Sequence, residues 1–304
     1  MTRRSTAFWM LQVVLGVAIA VFVWRAIARN WEAFRGLEFD FALRPSMIAL
    51  SALAVLGTYA MLIEAWRRVL GGWDQRLAFG AAARIWTLAN LGRYLPGKVW
   101  SIAGLAVLAQ RAGVTGWAAA GSAIAMQAVA LGTGVAIVAA TAPGAASPLW
   151  LAVGAVITIV TIGALATPAA IRALGRFPGG DNLRPLALPS VVTAALVTAA
   201  SWVAYGAGFW LLARGLFGPT ALTVPTAVGV FAAGYIIGLL SVFAPGGVGV
   251  REVVFIGLLA PALGSGGAVA LSIASRLLLT ITELAAAAAG TVLGTGSKEQ
   301  PRGS

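Results

Sequence analysis

Six apolar runs, near residues 8–28, 46–66, 117–142, 148–168, 190–213 and 266–293, constrain this chain more than any other feature. Each is long enough for a helix to cross a hydrocarbon layer, which takes about 20 residues. Inside such a layer every backbone N–H and C=O must find a partner within the protein, and a helix satisfies both along its own length. The run at 117–142, WAAAGSAIAMQAVALGTGVAIVAATA, contains no charged side chain at all. The first run follows Arg3 and Arg4, ends at Trp24-Arg25 and leads straight into more apolar sequence, so it reads as a first transmembrane helix rather than a cleaved signal peptide. Only 10% of the 304 residues are charged, against about 25% in soluble domains. The expected fold is all-α: a polytopic membrane protein forming one transmembrane domain over 1–304, with a short cytoplasmic tail at 295–304.

Two further apolar segments, 80–112 and 224–262, do not read as plain spans. Each is interrupted by Pro-Gly, at Pro96-Gly97 and at Pro245-Gly246, and the piece after each break is too short to span alone. Two Pro-Gly re-entrant hairpins are therefore expected beside about six full spans. Irregular backbone at that depth has to lie against protein or a water-filled cavity. A shift of 149 residues lays Pro96-Gly97 on Pro245-Gly246, Val99 on Val248, Ala119 on Ala268, Ile124 on Ile273 and Ala125 on Ala274. Each half then reads span, span, hairpin, span, with half-repeats at about 8–142 and 148–293. Three full spans per half is an odd number, so the second half is expected to be inverted, a plan common in transporters.

The net charge is +12, but most basic residues flank apolar runs and no nucleic-acid motif is present. Membrane lipids are the expected partners, nucleic acid is not, and a homo-oligomer is compatible with the sequence. With the N-terminus inside, the cytoplasmic face holds twelve basic residues, among them Arg67, Arg68, Arg76, Arg84, Arg111, Arg172, Arg176 and Arg184, and the outer face holds five, Arg25, Arg29, Arg35, Arg44 and Arg214. That bias places both termini in the cytoplasm. Arginine outnumbers lysine 19 to 2, as in products of GC-rich bacterial genomes, and a bacterial plasma membrane is the expected location. Residues 29–45 read either as an amphipathic interfacial helix or as a structured loop. The chain has no cysteine and no histidine, and its nine acidic residues are scattered. Disulfides, thiolate chemistry, histidine metal sites and a Ser-His-Asp triad are thereby excluded, and no cofactor or metal is expected.

The second break, FAPGGVGVREVV, combines three features. Pro245 and Gly246 end one half-helix, and Gly247 and Gly249 keep the backbone bare for close approach. A half-helix starts near 248–251 and presents unpaired N–H groups, a natural anion site. Arg251 adds a fixed charge of planar, bidentate geometry, and Glu252 is placed to cap N–H groups, pair with a base or meet a cationic headgroup. The first break, NLGRYLPGKVW, repeats the arrangement with Arg93 and Lys98. The substrate-binding candidates are thus Arg93, Lys98, Gly246, Gly247, Gly249, Arg251, Glu252 and Arg276, with Glu283 a coupling group or one member of a structural ion pair. Set against this is a plainer reading, in which the breaks are short surface loops whose Arg and Lys snorkel to headgroups. Glu64 reads as a surface i,i+4 partner of Arg68. Trp86, Trp100, Trp202 and Trp210 read as interfacial or packing residues.

These motifs, LGRYLPGKVW, then APGGVGVREVVFIGLLAP and ALSIASRLLLTITELAA, resemble the lysylphosphatidylglycerol synthase transmembrane-region family of flippase-like proteins, over roughly 45 to 290. The resemblance implies an integral membrane protein that moves lipid across the bilayer. No synthase domain follows residue 304 in this sequence, so it points to translocation rather than aminoacyl transfer. The function expected is a lipid flippase or transporter, not an enzyme, acting on an anionic or aminoacylated phospholipid. A polyprenyl-phosphate or lipid-linked sugar carrier is the alternative, and a membrane-embedded transferase on a lipid-linked substrate is the alternative from another class. Because the chain lacks cysteine, a single Cys introduced at Arg176 is expected to react with a membrane-impermeant thiol reagent only after the cytoplasmic face is opened; labelling of intact cells would reverse the orientation.

Overall fold

The computed structural model describes residues 43–94, 99–142, 147–168, 184–241, 247 and 249–293. The expected span at 8–28, nearly all of 29–45, the two Pro-Gly pairs, Lys98 and the tail at 295–304 lie outside the described residues. Among those described the structure is all helical, with no strand. The helices are α1 (Pro45–Gly71), α2 (Phe79–Asn90), a 3-10 turn (Leu91–Tyr94), α3 (Val99–Arg111), α4 (Gly116–Thr141), α5 (Pro148–Ala166), α6 (Leu188–Phe217), α7 (Val224–Leu240) and α8 (Val250–Leu293). Five of them, α1, α4, α5, α6 and α8, are long and apolar enough to cross a membrane. This is the architecture of a multi-pass helical membrane protein.

Local chemistry sets the boundaries. Proline occupies the first turn of α1, α5, α6 and α7, where its missing N–H is no loss. The Ser147 and Thr223 side chains accept from the amides of Trp150 and Thr226, satisfying donors that a helix start leaves free. The expected runs at 46, 117, 148 and 190 begin within two residues of observed helices at 45, 116, 148 and 188. The run expected at 266–293 is the second part of α8, which breaks at Gly264 with φ 70 and ψ 165. The outward faces are apolar: Leu149, Ile159, Leu196 and Ile281 are all exposed. In α5 only Gly154 and Leu165 are buried, so this helix is peripheral.

Helices approach closely wherever one of them offers a small residue, the usual basis of packing between helices in a membrane. α1 and α6 run antiparallel along their whole length. Ser51 Oγ donates to the Gly208 carbonyl at 2.6 Å, Arg44 N to Gly215 O at 2.8 Å, and at the other end Trp73 Nε1 to Arg184 O at 2.8 Å. α6 packs against α7 through Gly206, where an added Cβ would lie 2.3 Å from Val228 Cα. One apolar cluster gathers Trp66, Trp73, Ile85, Met126 and Val191; a second gathers Tyr59, Phe209, Phe231, Phe255 and Leu271.

Two chain reversals lie between these helices. α3 folds back along α2, so that Gly104 faces Ala89 and Gly92 meets the backbone of Trp100 and Ser101. The start of α8 folds back along α7, with Gly247 and Arg251 against Gly238 and Phe255 against Gly234. The 149-residue shift carries Gly116 onto position 265, where α8 resumes after Gly264, and carries α1 (45–71) onto 194–220, inside and just beyond α6.

Charge divides between the two ends. Arg67 donates to Leu77 O and the Gln75 side chain accepts from Thr115 N, so Arg67, Arg68, Arg76, Arg84, Arg111 and Arg184 gather at the end holding the α1–α2 loop. Arg44 and Arg214 occupy the opposite end. Glu64 pairs with Arg68 at 2.7 Å, as its spacing predicted, and also with Arg67. Gly206→Ala is expected to lower thermal stability in detergent by about 1–3 kcal/mol, because backbone has to move to admit the methyl. Gly163→Ala, with open space around it, serves as the control; equal midpoints for the two variants would show that the α6–α7 contact is not tight.

Candidate functional site

The two reversals point into a shared cavity of about 250 Å³, whose lining includes members of both apolar clusters. Arg93 reaches it from the 3-10 turn after α2, and Gly247 and Arg251 from the second reversal. Tyr59 enters from α1, Gln127 from α4, Tyr205 from α6, Tyr235 from α7 and Glu283 from α8. A smaller space of about 30 Å³ adjoins it and adds Phe231, Arg276 and Thr280. Positions 149 apart line the cavity in pairs: Trp86 with Tyr235, Ala89 with Gly238, Asn90 with Leu239, and Ile102 with Arg251.

The charges are arranged in layers. Arg93 Nη1 donates to Glu283 Oε1 at 2.7 Å, and its Nη2 donates to Asn90 Oδ1 at 2.8 Å. Glu283 is 8% exposed, so its charge depends on such partners. Arg276 Nη1 donates to Glu252 Oε1 at 3.2 Å. The other oxygen of Glu252 accepts from Gly249 N at 2.6 Å, and Val253 N donates to Gly249 O at 3.0 Å. Gly249 is thus the cap of α8, and Glu252 reaches back to it from the third helical position. Both glycines need their missing side chain: φ is 69 at Gly247 and 84 at Gly249, a region other residues rarely enter. A Cβ on Gly247 would also sit 3.2 Å from Gly238 Cα.

Arg251 stands apart. Its guanidinium carbon lies 4.8 Å from the Phe231 ring centre and 4.9 Å from that of Phe255. Two ring faces offset part of the loss of water around the cation, yet leave its in-plane N–H donors unused. Nη2 is buried and has no hydrogen-bond partner among the described residues. A buried donor without a partner costs about 1–3 kcal/mol, and more on a charged group. The arrangement suits an anion that brings oxygens into the plane of the guanidinium.

The structure gathers Arg93, Gly247, Arg251 and Glu283 on one cavity, with Arg276 in the adjoining space. Glu252 and Gly249 do not line it; they build the helix start and hold Arg276. Lys98 and Gly246 are outside the described residues. Trp202 and Trp210 are packing residues that donate to Thr133 Oγ1 and Leu222 O, and Trp100 is exposed. Trp86 packs 5.9 Å from Trp66 and also lines the cavity, a placement that a purely interfacial or packing role does not anticipate. Sequence reasoning missed the tyrosines, although three of the chain's four line the cavity; their position in mid-span, among small residues, was the available signal. It also passed over Gln127 as a site residue, though the 149 shift sets it opposite Arg276. No protein-family model and no curated protein matches the chain. In a double-mutant cycle, Arg93→Ala and Glu283→Ala are expected to show a coupling of about 1–2 kcal/mol in unfolding from micelles; additive losses would mean that the contact ties nothing together.

Proposed function

We propose that this protein is a flippase-type lipid transporter of the plasma membrane, moving an anionic or aminoacylated phospholipid whose phosphate is held at the tips of two re-entrant hairpins. The observation that carries the reading is Arg251, a cation that lines the cavity and whose Nη2 has no hydrogen-bond partner among the described residues. The antiparallel contact between α1 and α6, the paired cavity positions 149 apart and the two reversals support an inverted repeat with a hairpin entering from each face. Six full spans then include the run at 8–28, and both termini lie in the cytoplasm, in keeping with the gathering of arginines at one end. Opening the cavity alternately to the two leaflets moves the headgroup, while the acyl chains remain in lipid. Among the described acids only Glu283 lines the cavity, which favours transport over a transferase needing convergent carboxylates.

The test is movement of labelled phospholipid across the bilayer of proteoliposomes. Losing charge-assisted hydrogen bonds worth about 1.5–3 kcal/mol is expected to slow Arg251→Ala roughly ten- to a hundredfold. Wild-type rates in a folded Arg251→Ala variant would remove the phosphate from that residue.

A further inference from the structure

We propose that the lipid taken by this cavity is a phosphodiester carrying one negative charge and an uncharged, hydroxylated headgroup, glycerol or a ring polyol, and not a phosphomonoester or a cationic aminoacyl lipid. This rests on the anion-site reading above and narrows it.

Charge is the first ground. Two arginines and one glutamate line the cavity among the described residues. Arg93 already faces Glu283 at 2.7 Å, and behind the wall Arg276 faces Glu252 at 3.2 Å. Among the described residues one positive charge remains in excess, on Arg251 between its two phenylalanines. It matches the single charge of a diester. A monoester carries about −1.5 to −2 at neutral pH, more than the one positive charge left in excess among the described residues. A headgroup ammonium would meet the excess positive charge, and the one described carboxylate that lines the cavity, Glu283, already faces Arg93.

The second ground is the neutral lining. The Tyr205 and Tyr235 hydroxyls and the Gln127 amide belong to cavity residues. They make no hydrogen bond to any described residue, and none of these polar atoms is sealed from the space. They come from α6, α7 and α4, on several sides of the site, and together offer donors and acceptors without charge. That is the complement of hydroxyl groups. A bare phosphate on Arg251 would leave these groups, and most of the 250 Å³, unused.

The experiment uses the full chain in detergent, with binding read by native mass spectrometry. Short-chain phosphatidylglycerol and phosphatidylinositol carry hydroxyls on a diester. Phosphatidylmethanol has the same charge without hydroxyls, phosphatidic acid is a monoester, and lysyl-phosphatidylglycerol is cationic at its headgroup. Phosphatidylglycerol or phosphatidylinositol is expected to bind about two- to tenfold more tightly than phosphatidylmethanol for each hydroxyl contact made, and the tighter of the two identifies an open-chain or a ring headgroup. Phosphatidic acid and lysyl-phosphatidylglycerol are expected to bind more weakly than either. Tyr235→Phe is expected to narrow the ratio to phosphatidylmethanol, which a general loss of fold would not do. Equal binding of phosphatidylmethanol and both polyol lipids overturns the proposal, as does phosphatidic acid or lysyl-phosphatidylglycerol binding as tightly as the polyol lipids. If Arg251→Ala binds all five lipids as the wild type does, the anion site itself is lost.

Discussion

Wherever a helix stops inside an apolar protein, the N–H or C=O groups of its last turn lose their intrahelical partners and have no water to replace them. The start of α8 carries the consequence of that constraint. Glu252 supplies an acceptor for Gly249 N, but this brings a carboxylate into the interior, and a buried carboxylate needs a cation. Arg276 provides it. The first reversal has a related dependence: Arg93 has both Glu283 and Asn90 as partners, and Glu283 is nearly inaccessible. Charged groups therefore collect where the helices are interrupted, and the cavity forms between those interruptions and the polar side chains of α1, α4 and α6.

Both ion pairs draw on α8. Arg276 and Glu283 are seven residues apart, two turns of one helix face, and each holds the opposite charge from its partner in a different reversal. One helix thereby positions both. Arg251 belongs to neither pair. Aromatic faces hold it in place, and the carboxylates of Glu252 and Glu283 face other arginines, which leaves its charge for whatever enters the cavity.

The long helices were legible because an apolar run of span length has one structural solution in lipid; four starts fell within two residues. The interruption at Gly264 was legible for the same reason, since the run resumed at 266. Partners were a different matter. Arg93 and Glu283 are 190 residues apart, and nothing local to either names the other. Glu252 looked like a ligand contact because its chemistry at a helix start is also that of a cap, and only the position of Gly249 N decides between them. The tyrosines escaped because an aromatic ring in a span reads as packing until the direction of its hydroxyl is known. Gln127 had a signal in its register with Arg276, but a single amide in an apolar helix has many uses.

Gly264 has open space where a side chain would be, and the backbone there is not helical. Glu252 lies before this break and Arg276 after it, so their contact is a strut across a joint. The joint angle and the strut length are one mechanical coordinate. Rotation at Gly264 that swings the second part of α8 pulls on the tip of one reversal through Glu252, and carries Glu283, and with it Arg93, at the other. The second part of α8 thus touches both reversals, one through Arg276 and Glu252 and the other through Glu283 and Arg93.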